Sequence, residues 1–145
     1  MKLTTPVMPG CVLFLTLLIA GCASTQPRPS LYDQFGQRAG LGSLVDGLIK
    51  RIHANEKIAP LFSNTDFALF RQRFLEFLCV TVDGPCTYTG EELEEVHTGM
   101  NITEAEFNTL VEDLIDVMQE LAISKAAQNE MLKRLAPTRK DVIYR

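Results

Sequence analysis

Apolar residues recur at spacings of three and four along three long segments of this chain, a period that builds helices and cannot line one face of a strand. From Leu41 to Ala54, that spacing puts Leu41, Leu44, Val45, Leu48, Ile49 and Ile52 on one wide face. From Phe67 to about Val82, Phe67, Phe70, Phe74, Phe77 and Leu78 share one side, flanked by Arg71, Arg73 and Glu76. From Glu104 to about Leu121, Phe107, Leu110, Val111, Leu114, Ile115 and Met118 point inward. No stretch sustains the alternation of a half-buried strand, so the predicted class is all-α.

The joints between these segments carry their own signals. Leu31-Tyr32-Asp33-Gln34-Phe35-Gly36 reads as a one-turn helix closed by glycine, and Asn55 ends the next helix. Ile58-Ala59-Pro60-Leu61-Phe62 is a compact apolar bend, and Ser63-Asn64-Thr65-Asp66 is a turn with a capping residue. Asp83-Gly84-Pro85 ends the phenylalanine-rich helix, and a loop runs to Gly90. Glu91 to Val96 is a short helix leading to His97. Thr103 with Glu106 three residues on is a capping box, Ser124 caps a last helix holding Met131, Leu132 and Leu135, and Pro137 ends it. The sum is two long helix pairs separated by a long irregular segment.

Residues 1–21 read as an export signal, not as part of the fold. Val12 to Ala20 is apolar, too short for a bilayer-spanning helix, and follows a segment with Lys2 as its one charged side chain. It runs into Ile19-Ala20-Gly21-Cys22, which resembles a bacterial lipobox with cleavage before Cys22 and lipid on its thiol. The alternative is an ordinary signal with an incidental cysteine. Several acyl chains on one cysteine anchor stably, at about 0.8 kcal/mol per buried methylene. Ala23 after the cysteine favours the outer membrane, facing the periplasm. Residues 22–30, polar and with two prolines, form a tether, and one domain occupies 31–145. The net charge is −4 with no basic run, which argues against a nucleic-acid partner.

Of the four cysteines, Cys11 leaves with the signal and Cys22 takes lipid. Cys79 and Cys86 flank the Asp83-Gly84-Pro85 turn and, in an oxidising compartment, form a candidate disulfide. Two free thiols at a helix end are the alternative. Zinc would need further ligands, and neither a Cys-x-x-Cys nor a histidine pair is near.

Two histidines are present. An imidazole held between helical elements, as His97 is, can ligate an iron beneath a flat hydrophobic cofactor. Without further support, a partly exposed histidine near a helix end is the better explanation. His53 ends the polar turn Lys50-Arg51-Ile52-His53 and is expected at the surface.

Four pieces together, spread over nearly the whole domain, resemble a group 1 truncated hemoglobin. They are the Leu31-Tyr32 start, the Pro60-Leu61-Phe62 bend, the loop Gly84-Pro85-Cys86-Thr87-Tyr88-Thr89-Gly90, and His97-Thr98-Gly99-Met100-Asn101-Ile102-Thr103. The resemblance implies a two-over-two helical sandwich around a b-type heme. It implies His97 as the proximal iron ligand and Phe62 as the ring wedged against the porphyrin. Phe70 and Phe74 then belong to the distal face, and Leu93, Ile102, Phe107 and Leu110 to the proximal wall. Arg73 stands near where the family often reaches a heme propionate; a solvated surface arginine is the plain alternative.

The departures bear on function. Members of this group that hold oxygen tightly generally use a distal tyrosine and glutamine, and here those positions hold Ile49 and Phe74, with Phe70 at the gate. The usual Gly-Gly pair is Gly36-Gln37. An apolar distal pocket of Ile49, Phe70 and Phe74 forgoes a hydrogen bond worth about 1–3 kcal/mol to a partly charged ligand. This argues against avid oxygen storage. The expected function is binding of oxygen, nitric oxide or carbon monoxide at the cell envelope, through a lipid anchor. A nitric oxide dioxygenase is one alternative and would need an unidentified external reductant. A helical interaction lipoprotein that has lost heme is the other.

Overall fold

The computed structural model describes residues 28–145. The expected export signal, Cys22 and its lipid, and most of the tether lie outside the described residues. Within them every regular element is helical, and there is no strand.

Helix α1 (Leu31–Gln34) begins at a capping box that the sequence reading passed over. Ser30 Oγ accepts the Asp33 N–H at 3.0 Å, and Asp33 returns a bond to the Ser30 N–H at 3.3 Å. Gly36 and Gln37 then take left-handed backbone angles, φ 71° and 58°, and redirect the chain into α2 (Gln37–Ala54). This helix starts four residues before the expected Leu41. Gly40 makes that possible: a Cβ there would sit 1.9 Å from the Phe35 carbonyl oxygen, so the tight entry requires glycine.

A 3-10 turn (Ala59–Phe62) leads to α3 (Phe67–Thr81), where Asp66 caps the Ala68 and Leu69 N–H groups at 2.9 and 3.1 Å. Helix α4 (Leu93–His97) is short. Helix α5 (Glu104–Glu120) opens on the expected Thr103–Glu106 box. Helix α6 (Lys125–Leu135) is capped by Ser124 and passes directly into a 3-10 segment (Ala136–Asp141), so the helix stops just before Pro137 and the chain keeps turning.

The core is organised on α2, which packs against both α3 and α5. Leu41, Leu44, Val45, Leu48 and Ile52 of α2 are buried with Leu75, Leu78 and Cys79 of α3, Leu114, Val117 and Met118 of α5, and Met131 of α6. Each large aliphatic side chain sealed there contributes about 1.5–3 kcal/mol. The α2–α5 crossing is close, since a Cβ on Gly47 would lie 2.5 Å from Val117 Cγ1. Arg51 of α2 stitches the same crossing, with Nη1 2.9 Å from Asp116 and Nη2 2.6 Å from Glu120.

Two acidic residues are buried, one of them against expectation. Glu76, read as flanking the apolar side of α3, is 8% exposed. Asp113 is buried on α5, where it accepts a 2.8 Å hydrogen bond from Asn55 Nδ2. Both are paired, which is what permits their burial.

Candidate functional site

Helix α3 carries two apolar faces. Leu75, Leu78 and Cys79 are sealed in the core, whereas Phe67, Phe70, Phe74 and Phe77 on the adjacent side remain half-buried. Their rings form a continuous ladder. Phe62 meets Phe70 edge-on at 5.7 Å, Phe70 stacks on Phe74 at 5.4 Å, and Phe74 on Phe77 at 6.1 Å. Tyr88 closes the series edge-on against Phe77 at 5.9 Å. Phe35 is the one phenylalanine sealed in the core among the described residues. Ile49 on α2 and Leu110 on α5 pack beside the ladder's supporting core and are likewise half-buried. The result is an apolar wall of flat rings, a surface suited to a flat apolar partner.

A clasp missed by the sequence reading holds the loop at the end of this wall. Glu76 accepts the Thr89 N–H at 3.0 Å, the Thr89 hydroxyl at 2.7 Å and Gln72 Nε2 at 3.1 Å. The Thr89 hydroxyl, then Gln72, hold its carboxyl below the usual glutamate range. Arg73 Nη1 lies 3.4 Å from the same carboxylate, with its side chain 35% exposed at the rim. The Cys79–Cys86 disulfide is formed and ties the loop at its other end. Tyr88 donates its hydroxyl to the Glu91 carbonyl at 2.8 Å, and burial pushes its phenol up. Only the disulfide had a sequence signal; a lone glutamate thirteen positions from its threonine has none.

On the other side of that loop, His97 ends α4, partly buried. Its Nδ1 lies 2.6 Å from the Leu93 carbonyl oxygen one turn earlier. A carbonyl can only accept, so Nδ1 carries a proton, and in the neutral ring the lone pair is left on Nε2. Leu93 is half-buried, and Ile102 is buried. Phe107 is half-buried, with the Arg139 guanidinium 5.8 Å above its ring. His53 is exposed, as expected, and leans on Phe67 at 4.3 Å between ring centres. Among the described residues, no hydrogen bond or ring contact joins His97 to the phenylalanine ladder. Two depressions along α2, of about 660 and 480 Å³, touch neither.

This arrangement of helices is the two-over-two globin fold. The Fe(III) form of truncated hemoglobin from Tetrahymena pyriformis superposes with a TM-score of 0.77 at 29% identity, covering 81% of this chain and 100% of that one. The 2/2 hemoglobin from Synechococcus sp. PCC 7002, in the cyanomet state with covalently attached heme, gives 0.74 at 25% identity over 79% and 98%. In sequence, the group 1 truncated hemoglobin of T. pyriformis is 30% identical over 114 residues, 79% of this chain and 94% of that protein. That of Nostoc sp. (strain MUN 8820) is 30% identical over 106 residues, 73% and 90% of the two chains.

The chain belongs to the bacterial-like globin family, whose profile matches residues 30–144. Membership implies heme binding, and globins bind diatomic gases such as oxygen.

Proposed function

We propose that this globin holds a b-type heme on His97 and binds a diatomic gas against an apolar distal wall, at the cell envelope. The observation that carries the reading is the orientation of His97, with Nδ1 engaged by Leu93 at 2.6 Å and Nε2 left with a lone pair suited to iron. The other residues fit the group as well. Phe62, Phe70 and Phe74 offer flat rings to a porphyrin face, Leu93, Ile102, Phe107 and Leu110 give an apolar opposite wall, and Arg73 at the rim suits a propionate. When bound, heme supplies the iron site at which a gas is taken up.

The protein's own contribution is orientation and exclusion of water. Leu93 fixes the rotation of the imidazole and raises its basicity. Ile49, Phe70 and Phe74 exclude water from the distal side and present no hydrogen-bond donor there. Carbon monoxide and nitric oxide need such a donor less than oxygen does, which supports a preference for them. Lipid on Cys22 would place the domain on the periplasmic face of the outer membrane, a placement supported by the lipobox pattern alone.

Protein lacking residues 1–22 and reconstituted with hemin should show a strong Soret band, and His97→Ala should lose it or hold heme weakly. An unchanged spectrum in that variant removes His97 as ligand, and failure of the parent to take up hemin would favour a heme-free interaction module. Nitrate produced on mixing the oxygenated form with nitric oxide would instead favour dioxygenation with an external reductant. Incorporation of labelled palmitate that Cys22→Ala abolishes would support the anchor.

A further inference from the structure

Helix α4 has five residues, Leu93–His97, and none of them is buried. A helix that short has almost no stability of its own, so its geometry is imposed from outside. The 3-10 segment Ala136–Asp141 packs against α4, and residues 143–145 continue from it past the stretch that follows His97.

There the backbone is clasped by two bonds running in opposite directions. The Asn101 N–H donates to the Arg145 carbonyl at 2.8 Å, and the Tyr144 N–H donates to the Ile102 carbonyl at 2.9 Å. Ile102 and Ile143, next to these rungs, are both buried. The Arg145 side chain reaches α4 itself, with Nη1 3.4 Å from Glu94, three residues before His97. Arg145 Nε is fixed in turn on the Lys140 carbonyl at 2.7 Å. Thus α4 is held ahead of His97 through Glu94 and behind it through residues 101–102.

The backbone angles give a second, independent observation. Asn101 and Tyr144, one on each side of the clasp, are left-handed at φ 49° and 55°. Asparagine tolerates that region, but a tyrosine does not favour it and keeps it only where surrounding contacts impose it. Tyr144 is 60% exposed, so packing of its ring does not explain the conformation; the N–H bond to Ile102 does.

We propose that residues 144 and 145 position His97. The clasp keeps α4 wound, so that the Leu93 carbonyl stays on Nδ1 and the imidazole keeps a fixed rotation and basicity. This rests on the reading of His97 as the iron ligand. Releasing the clasp frays α4, lengthens the Leu93 bond and weakens the iron–imidazole bond without touching the distal wall.

The test uses hemin-reconstituted protein lacking residues 1–22, read by the iron–histidine stretch in resonance Raman spectra of the ferrous form and by hemin transfer to an excess of a scavenging globin. Deletion of residues 144–145 should lower and broaden the stretch and speed hemin loss about tenfold, equivalent to about 1.4 kcal/mol. Arg145→Ala and Glu94→Gln should each shift the band less, in the same direction, and together no further than either alone. Tyr144→Ala keeps its backbone N–H and should match wild type. If the deletion fails to fold, the two single substitutions decide. An unshifted band in a folded deletion variant, or in both single variants, overturns the proposal. A wild-type band that survives His97→Ala overturns the ligand assignment instead, and the two failures are thereby distinguished.

Discussion

Removing the Cys79–Cys86 cross-link should lower the stability of the domain by an amount that follows from the loop it closes. The two cysteines are seven positions apart. Loop-closure entropy for a ring of about eight residues gives about 2.5 kcal/mol at 25 °C. For a domain of this size, that corresponds to a drop of about 10 °C in melting midpoint. Cys79 is fully buried and Cys86 is half-buried, so a reductant must attack the Cys86 sulfur, beside Arg38 Nη1 at 3.5 Å. Melting followed by far-ultraviolet circular dichroism should be compared for oxidised protein, fully reduced protein and the Cys79→Ala/Cys86→Ser variant. The last two should coincide, both well below the first. A reduced midpoint within about 2 °C of the oxidised one would refute the reasoning, because the loop would then be equally confined without the bond.

On the proposed distal wall, Ile49→Tyr would add a donor and should slow oxygen release about tenfold for about 1.4 kcal/mol of stabilisation, with carbon monoxide little affected; equal slowing in flash photolysis of both gases would mean steric gating. Gly47→Ala should cost about 1–3 kcal/mol by forcing a methyl into the 2.5 Å approach to Val117 Cγ1, and Val117→Ala in the same chain should recover most of it in urea melts. Glu76 has a folded-state pKa below its unfolded value, so its contribution is complete above the ordinary glutamate range and disappears as pH falls through the lowered value. Amide exchange at Thr89 should therefore accelerate relative to the core as pH is lowered into the acid range, after correction for intrinsic rates, and Glu76→Gln should flatten that dependence.

Much of the architecture was readable because its causes are local. The apolar positions of α2 and the caps at Asp66, Thr103 and Ser124 depend on neighbours within one helical turn, and each stands where the pattern put it. The cysteine pair flanked a visible turn. Elsewhere, distant partners decided the outcome. Glu76 sits among hydrophobic residues because Thr89, thirteen positions on, satisfies its charge. Asp113 is buried because Asn55, fifty-eight positions away, donates to it. The start of α2 at Gln37 depends on Gly40 fitting beneath Phe35, a contact that helix propensity disfavours. The clasp between residues 101–102 and 144–145 is made by backbone atoms, which carry no sequence signature.

The close crossing of α2 and α5 also determines where this molecule can breathe. Val117 leaves no room at Gly47, and Arg51 spans the seam to Asp116 and Glu120, so these two helices form the stiff half of the protein. The opposite half is assembled from short and irregular pieces: the 3-10 turn after α2, the loop to Gly90, and α4. Opening motions of low energy belong to that second half. A flat molecule seated between the phenylalanine ladder and His97 would meet the loop and α4 on its yielding side and elements braced by the α2–α5 pair on its fixed side. Insertions or fusions that spare the seam but load the loop would alter the rate of entry more than the stability of the fold.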